Sequence, residues 1–199
     1  MTQPLFSAKC PPTKPANVTR RSREYLTAEE VNMLIRAARR PGRYGQRNTT
    51  LILLMYRHGL RVAEVIRLQW AMLDLKAALL HVRRVKNGLA ALHPLRGTEL
   101  RALRHLQHTY AGMAYVFVSE RGGPLTARTV HHIVAAAGRA AGFAFPVHPH
   151  MLRHACGFYL ANKGVDTRAL QQYLGHRNIQ HTVRYTELTA QRFQNFWED

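Results

Sequence analysis

Apolar residues recur every three to four positions along most of the chain after residue 23, the period of helices that pack on a core. Thr27-Ala28-Glu29-Glu30 has the spacing of a capping box and precedes Val31 and Leu34, so it predicts a helix start. Further helices are predicted over residues 48–58, from 61–63 onward, and over 99–110, 126–141, 149–163 and 167–174. A short helix around Tyr185 and another at the end of the chain complete the pattern.

Between residues 79 and 95 the pattern changes to short, roughly alternating segments. They are interrupted at Asn87-Gly88, a dipeptide typical of a tight β-hairpin turn. Residues 116–119 form a brief apolar run. The predicted fold is therefore mainly α with a small antiparallel β-sheet (α+β).

Residues 1–23 differ from the rest because they contain four prolines and five charges, all of them basic. This composition predicts a flexible basic arm, either a tether that contacts phosphates or an inert solubilising leader. Residues 24–199 are predicted to form one domain.

The 199 residues carry 29 Lys and Arg against 11 Asp and Glu, a formal charge of +18. Such a charge predicts a polyanionic partner, and nucleic acid is the first candidate. A basic binding protein without catalytic activity and a protein that binds an anionic membrane surface also fit this charge. No secretory signal opens the chain and no apolar run approaches the ~18 residues of a membrane span. With only two cysteines, Cys10 and Cys156, a cytoplasmic location is expected.

His150 and Arg153 are the first candidates for chemistry, because a spacing of three places them on one face near a predicted helix start. Helix starts favour anions, so this face suits a phosphate, although His150 could simply cap the helix. The opposite face carries apolar residues at core spacing, which predicts a buried, unreactive Cys156: Leu152, Cys156, Tyr159 and Leu160.

A zinc site is the competing interpretation, since His150 and His154 are four residues apart. The metalloprotease pattern needs a glutamate between its histidines, whereas here Arg153 lies between them and would repel a cation. We therefore expect neither a metal nor a cofactor.

Other candidates are ordinary when taken singly. Arg61 follows Gly59, and Glu64 could hold its guanidinium, although a surface ion pair would contribute little. Lys86 lies at the predicted hairpin tip. His176 follows a helix-ending glycine and is expected on an exposed turn, and Tyr185 fits a half-buried aromatic.

Taken in order, these residues resemble the active positions of the tyrosine recombinase (phage integrase) family. The resemblance lies in His58-Gly-Leu-Arg-Val-Ala-Glu64, His148-Pro-His-Met-Leu-Arg-His-Ala155, Leu174-Gly-His-Arg177 and Val183-Arg-Tyr185. Within that family, residues 148–157, 173–179 and 181–183 are similar to the compact fimbrial switch invertases of bacteria. The resemblance implies a recombinase catalytic domain over 24–199, with no separate core-binding domain before it.

The resemblance also implies a role for each residue. Tyr185 would attack the scissile phosphate to give a 3′-phosphotyrosyl link, with Arg61 and Arg153 clamping that phosphate. His176 would donate a hydrogen bond to the transition state. His150 would assist removal of the tyrosine proton, Lys86 would protonate the departing 5′ oxygen, and Glu64 would orient Arg61. Because free tyrosine is a poor nucleophile at neutral pH, the surrounding cations are expected to help ionise it.

The implied reaction is inversion of a promoter-bearing DNA segment between short inverted repeats, without metal or ATP, controlling fimbrial expression. The implied partners are double-stranded DNA, three further copies in a tetramer on DNA, and host DNA-bending proteins, in a bacterial cytoplasm at the nucleoid. Residues 189–199 could be exchanged between subunits or pack on their own domain. A non-catalytic DNA-binding regulator with the same fold is the alternative, although no active position is missing. A metal-dependent hydrolase lacks the acidic ligands it would need.

Overall fold

A computed structural model describes residues 24–39, 42–84 and 90–187. The described residues contain eight α-helices, α1 (Ala28–Ala38), α2 (Gly45–Arg57), α3 (Val62–Val65), α4 (Gly97–Thr109), α5 (Ala127–Ala140), α6 (Pro149–Asn162), α7 (Thr167–Leu174) and α8 (Gln180–Thr186). Three short strands, β1 (Leu73–Asp74), β2 (Leu79–Val82) and β3 (Ala91–Pro94), follow α3 and a 3₁₀ turn at Trp70–Met72. The prediction of a mainly helical fold with a small antiparallel sheet is confirmed.

Local signals set most of the helix boundaries. The capping box of α1 is complete: the Thr27 backbone N–H donates to Glu30 Oε2 (2.8 Å), and the Glu30 N–H donates to the Thr27 hydroxyl (3.3 Å). Asp166 accepts from the Arg168 N–H and begins α7. Gly175 ends α7 in the left-handed region, at φ 66°.

The sheet is antiparallel in the order β1-β2-β3, and Leu80 lies opposite His93 in the β2–β3 ladder. The predicted hairpin pairing is therefore confirmed. The tip of the hairpin, with Lys86 and Asn87-Gly88, lies outside the described residues, as do the arm at 1–23 and the segment 189–199. The apolar run at 116–119 forms no strand, and Val118 makes only an isolated bridge to Pro124.

Two apolar clusters hold the domain together. The larger is built from α1, α2, α4, α5 and the start of α6, and includes Leu34, Leu51, Leu103 and Val134. The smaller lies where α6, α7 and α8 meet, and its buried members are Cys156, Phe158, Ala161, Leu170, Leu174 and Tyr185. This smaller cluster is the floor of the candidate site.

Helix α6 is more buried than its sequence pattern predicts, since ten of its fourteen residues are buried, including Arg153. Cys156 is buried as predicted, but the prediction that Tyr159 belongs to the core face is wrong because its side chain is 43% exposed. Its ring lies at the surface between Tyr56 and the Lys163 ammonium. Among the described helices, none is long and apolar enough to cross a membrane.

Candidate active site

The turn between α2 and α3 positions Arg61 through a buried carboxylate. Arg61 precedes α3 with an extended backbone, and its N–H donates to Glu64 Oε2 at 2.9 Å. Its Nη1 donates to Glu64 Oε1, also at 2.9 Å, so the predicted contact is present. It is not a surface pair, since the Glu64 side chain is buried while 29% of the Arg61 side chain is exposed.

Glu64 also accepts a hydrogen bond from Arg84, a residue that was not among the candidates from the sequence. Arg84 follows β2, and its Nη1 donates to Glu64 Oε2 at 2.8 Å. Burial alone would raise the pKa of Glu64, but Arg84 and Arg61 outweigh it, so that pKa lies below its ordinary value. Glu64 is therefore an ionised carboxylate shared by two arginines.

Arg153 lies on α6 with only 2% of its surface exposed. Its Nη1 donates to the Gly59 carbonyl, and its Nη2 donates to the Leu174 carbonyl at 2.7 Å. Burial, with help from Arg61 and Arg84, lowers its pKa to about 9, so the guanidinium stays charged at neutral pH. Arg153 therefore joins the Arg61 turn to the turn that ends α7.

His176 lies on that second turn, but the prediction that it is exposed is wrong, because it is only 7% exposed. Its Nδ1 lies 2.9 Å from the hydroxyl oxygen of Thr182 on α8, which folds back over the turn. Burial, then Arg153 and Arg61, lowers the pKa of His176 to about 3. The imidazole is therefore neutral at physiological pH.

Tyr185 is buried rather than half-buried, with 2% of its surface exposed. Its hydroxyl oxygen lies 2.9 Å from Nδ1 of His154, and its ring lies 6.3 Å from the ring of His176. Burial raises the pKa of Tyr185, although Arg153 and Arg184 oppose the shift. The cations therefore favour ionisation of Tyr185 as expected, but in the chain without DNA burial outweighs them.

His154, considered in the sequence only as a zinc ligand, contacts the Tyr185 hydroxyl. Burial, then the neighbouring His150 and Arg184, lowers its pKa to about 3, so its imidazole is neutral at physiological pH. His150 is exposed at the start of α6, and its ring meets that of His154 edge-on at 4.4 Å. His154 therefore lies between His150 and the tyrosine.

The structure thus brings together four of the predicted residues from four separate segments of the chain: Arg61, Arg153, His176 and Tyr185. Arg84, His154 and Thr182 were missed. Signals that could have suggested them were the two-residue spacing of Arg84 from Lys86 and the positions of His154 and Thr182 within the motifs at 148–157 and 181–183. Among residues 24–39, 42–84 and 90–187, no cluster of three metal-ligating side chains occurs.

Comparison with known proteins identifies the family. The model of the phage integrase family matches residues 24–192. The chain belongs to the phage integrase family. It is a site-specific recombinase of the tyrosine class, and both the family resemblance and the fold predicted from the sequence are confirmed.

Several known proteins are similar in sequence to this chain over most of their length. The type 1 fimbriae regulatory protein FimB of Escherichia coli K12 is 43% identical, covering 89% of this chain and 91% of that protein. FimE of Shigella flexneri is 44% identical, covering 88% and 91%. The tyrosine recombinase XerC of Bacillus pumilus is 34% identical over 83% of this chain and 57% of its own length.

Solved structures share the fold. The XerA recombinase superposes with a TM-score of 0.75 and 27% identity, covering 92% of this chain and 64% of that chain. The catalytic core of lambda integrase superposes with a TM-score of 0.63 and 24% identity, covering 78% and 94%. The chain therefore spans under two thirds of the XerA protein but nearly all of an integrase catalytic core.

Proposed function

We propose that this recombinase inverts a DNA segment between short inverted repeats and so switches fimbrial genes, with Tyr185 as its nucleophile. The observation that carries the proposal is the burial of Tyr185 beside His176 and within electrostatic reach of Arg153. The similarity to FimB and FimE, which are fimbriae regulatory proteins, supports the fimbrial role.

Arg61 and Arg153 clamp the scissile phosphate. A guanidinium has five N–H groups, and Arg153 uses two of its donors on backbone carbonyls, so three remain for phosphate oxygens. Arg61 is fixed by Glu64 at one side, while its partly exposed guanidinium remains open to DNA. Paired bidentate donors stabilise the charge that builds up on the nonbridging oxygens.

His176 donates one hydrogen bond to the same phosphate. A neutral imidazole has one donor and one acceptor. When Nδ1 accepts from the Thr182 hydroxyl, the proton lies on Nε2, which is then the donor. In that arrangement the Thr182 hydroxyl holds the tautomer that the reaction needs.

The proton balance of cleavage needs an acceptor for the Tyr185 proton and a donor for the leaving oxygen. His150 assists removal of the tyrosine proton from its place beside His154, whose Nδ1 contacts the Tyr185 hydroxyl. Lys86 protonates the departing 5′ oxygen. The phosphodiester energy is kept in the 3′-phosphotyrosyl bond, so a 5′-hydroxyl from another strand reverses the attack without ATP or metal.

Double-stranded DNA with inverted repeats is the substrate, and the charge of +18 supports a salt-dependent grip on its phosphates. Exchange of two duplexes requires four such sites, so the working unit is a homotetramer on DNA, assisted by host DNA-bending proteins. Residues 189–199 link its subunits. The enzyme acts at the nucleoid in the bacterial cytoplasm.

A nicked suicide DNA substrate tests the proposal. The wild-type chain should form a covalent protein–DNA adduct, and Tyr185→Phe should form none while binding DNA equally well. EDTA should leave the yield unchanged. An equal adduct from Tyr185→Phe would exclude this nucleophile, and DNA binding without any adduct from the wild type would favour a non-catalytic regulator.

A further inference from the structure

Arg84 is the most fully enclosed charged group near the site that the mechanism does not use. Its side chain is completely buried at the end of β2. The guanidinium donates to Glu64 Oε2 at 2.8 Å and to the His58 carbonyl at 3.2 Å. It also lies 3.5 Å from the Gly59 carbonyl and donates to the Tyr173 carbonyl. Both Nη groups of Arg84 are therefore occupied by protein acceptors, so its role lies in these contacts rather than on a phosphate.

On one side, Arg84 reaches Arg61 through a single carboxylate. Glu64 uses Oε1 for the Arg61 guanidinium and Oε2 for both Arg84 and the Arg61 N–H. The position of the Glu64 carboxylate therefore depends on both arginines. Removal of Arg84 would take away the guanidinium that donates to Glu64 Oε2.

On the other side, Arg84 packs against the turn that carries His176. Gly175 has a left-handed backbone, and a Cβ atom at this position would lie 2.6 Å from Arg84 Cγ and 2.9 Å from its Cδ. The stem of Arg84 therefore lies directly against the backbone next to His176. Its Nη2 holds the Tyr173 carbonyl two residues before that glycine.

We propose that Arg84 is a positioning residue for strand cleavage, which sets the Arg61 turn and the His176 turn in register around the scissile phosphate. Arg153 joins the same two turns, through the Gly59 and Leu174 carbonyls. Arg153 itself contacts the phosphate in the proposed function, on which this inference rests, whereas Arg84 contacts only protein groups of the two turns and Glu64.

The test uses two substitutions of Arg84 in the full chain. Arg84→Lys keeps the charge, but one ammonium cannot reproduce the two separated Nη groups that hold a carboxylate and two carbonyls. Arg84→Met keeps the stem against Gly175 and removes the charge, which deprives the buried Glu64 carboxylate of one arginine and should also lower stability. Arg47→Lys is the matched control, because Arg47 is also buried and holds the Val118 carbonyl at 2.7 Å, outside the site.

The readouts are the single-turnover cleavage rate at saturating protein on the suicide substrate, the DNA dissociation constant and the thermal unfolding midpoint. Both Arg84 variants should cleave at least about tenfold more slowly, since a misplacement near 1 Å has effects of this size or larger. Their affinity for DNA should change less than about twofold because no phosphate contact is lost. Arg47→Lys should lower the unfolding midpoint and leave the cleavage rate unchanged.

A double-mutant comparison adds a readout that general destabilisation would not move. Arg84 acts partly through Glu64. The fold reduction in cleavage rate of the double variant Glu64→Gln, Arg84→Lys should therefore be smaller than the product of the fold reductions of the two single variants. Wild-type cleavage by folded Arg84 variants would overturn the inference, and so would failure of both variants to fold. Absence of cleavage by the wild-type chain would instead overturn the proposed function.

Discussion

Gly157 is the position where the smallest change should disturb Tyr185. It lies on α6 directly under the tyrosine ring, and an added Cβ would lie 2.7 Å from Cε2 and 2.8 Å from Cδ2 and Cζ of that ring. Ordinary carbon contacts are about 3.5–4.0 Å, so in Gly157→Ala the ring must shift by about 1 Å. The same shift would lengthen the 2.9 Å contact between the Tyr185 hydroxyl and His154 beyond hydrogen-bonding distance.

The expected magnitudes follow from two opposing effects. Overpacking of a buried site costs about 1–3 kcal/mol, whereas replacing a helical glycine with alanine recovers about 1 kcal/mol. We expect a net loss of about 0–2 kcal/mol in unfolding free energy. Cleavage should slow far more, by about a hundredfold, because the nucleophile is displaced.

Gly138→Ala is the matched control. Gly138 lies on α5, and its added Cβ would lie 2.7 Å from Val147 Cγ2, the same overlap in a helix remote from Tyr185. Denaturation by urea should give similar stability losses for the two variants, and the suicide substrate should show slow cleavage for Gly157→Ala alone. Cleavage at the wild-type rate by Gly157→Ala would refute the reasoning that the packing of Tyr185 controls its reactivity.

Two further predictions concern the buried histidines. His93, His154 and His176 have pKa values lowered to about 3 by burial, against about 6.5 in the unfolded chain. Their contribution to stability is complete above pH 6.5 and is lost as the pH falls towards 3, by about 2 kcal/mol each at pH 5. We expect the unfolding free energy, measured by urea denaturation, to fall by about 2 kcal/mol less between pH 7.5 and pH 5 for His93→Gln than for the wild type. An equal fall in both proteins would contradict the lowered pKa of His93. Thr182→Val should slow cleavage about tenfold or more by freeing the His176 tautomer, whereas Thr186→Val, which loses only a bond to the Val183 carbonyl, should not.

Local sequence signals predicted the elements of this fold well because they act over a few residues. The capping box at Thr27, the Asp166 cap and the Gly175 helix end all lie where the sequence indicates. The pairing of β2 with β3 is also as predicted. The helix ends depend on neighbours two to four residues away and the strand pairing on residues 9 to 15 apart, so both are local in the sequence.

Burial could not be predicted at the site, because it depends on which distant segments cover a residue. His176 follows a helix end and is expected at the surface, yet α8 folds back and covers it. Arg84 contacts His58, Glu64 and Tyr173, which lie 20 to 89 residues away in sequence. The period of a single helix carries no signal for such contacts.

The direction of the pKa shift of Tyr185 also depends on burial. A sequence rich in arginine favours an ionised tyrosine, but burial of the ring outweighs Arg153 and Arg184. In the chain without DNA, the neutral Tyr185 hydroxyl contacts Nδ1 of His154. A scissile phosphate bound between Arg61 and Arg153 would add negative charge beside it, which also disfavours the tyrosinate.

The central claim is that Tyr185 carries the covalent bond to DNA. The most direct measurement is mass spectrometry of the adduct from the suicide substrate after digestion of protein and DNA. The account predicts a 3′-phosphonucleotide attached to the peptide that contains Tyr185, with a free 5′-hydroxyl on the other DNA fragment. A nucleotide on any other residue, or attachment through a 5′ phosphate, would contradict it.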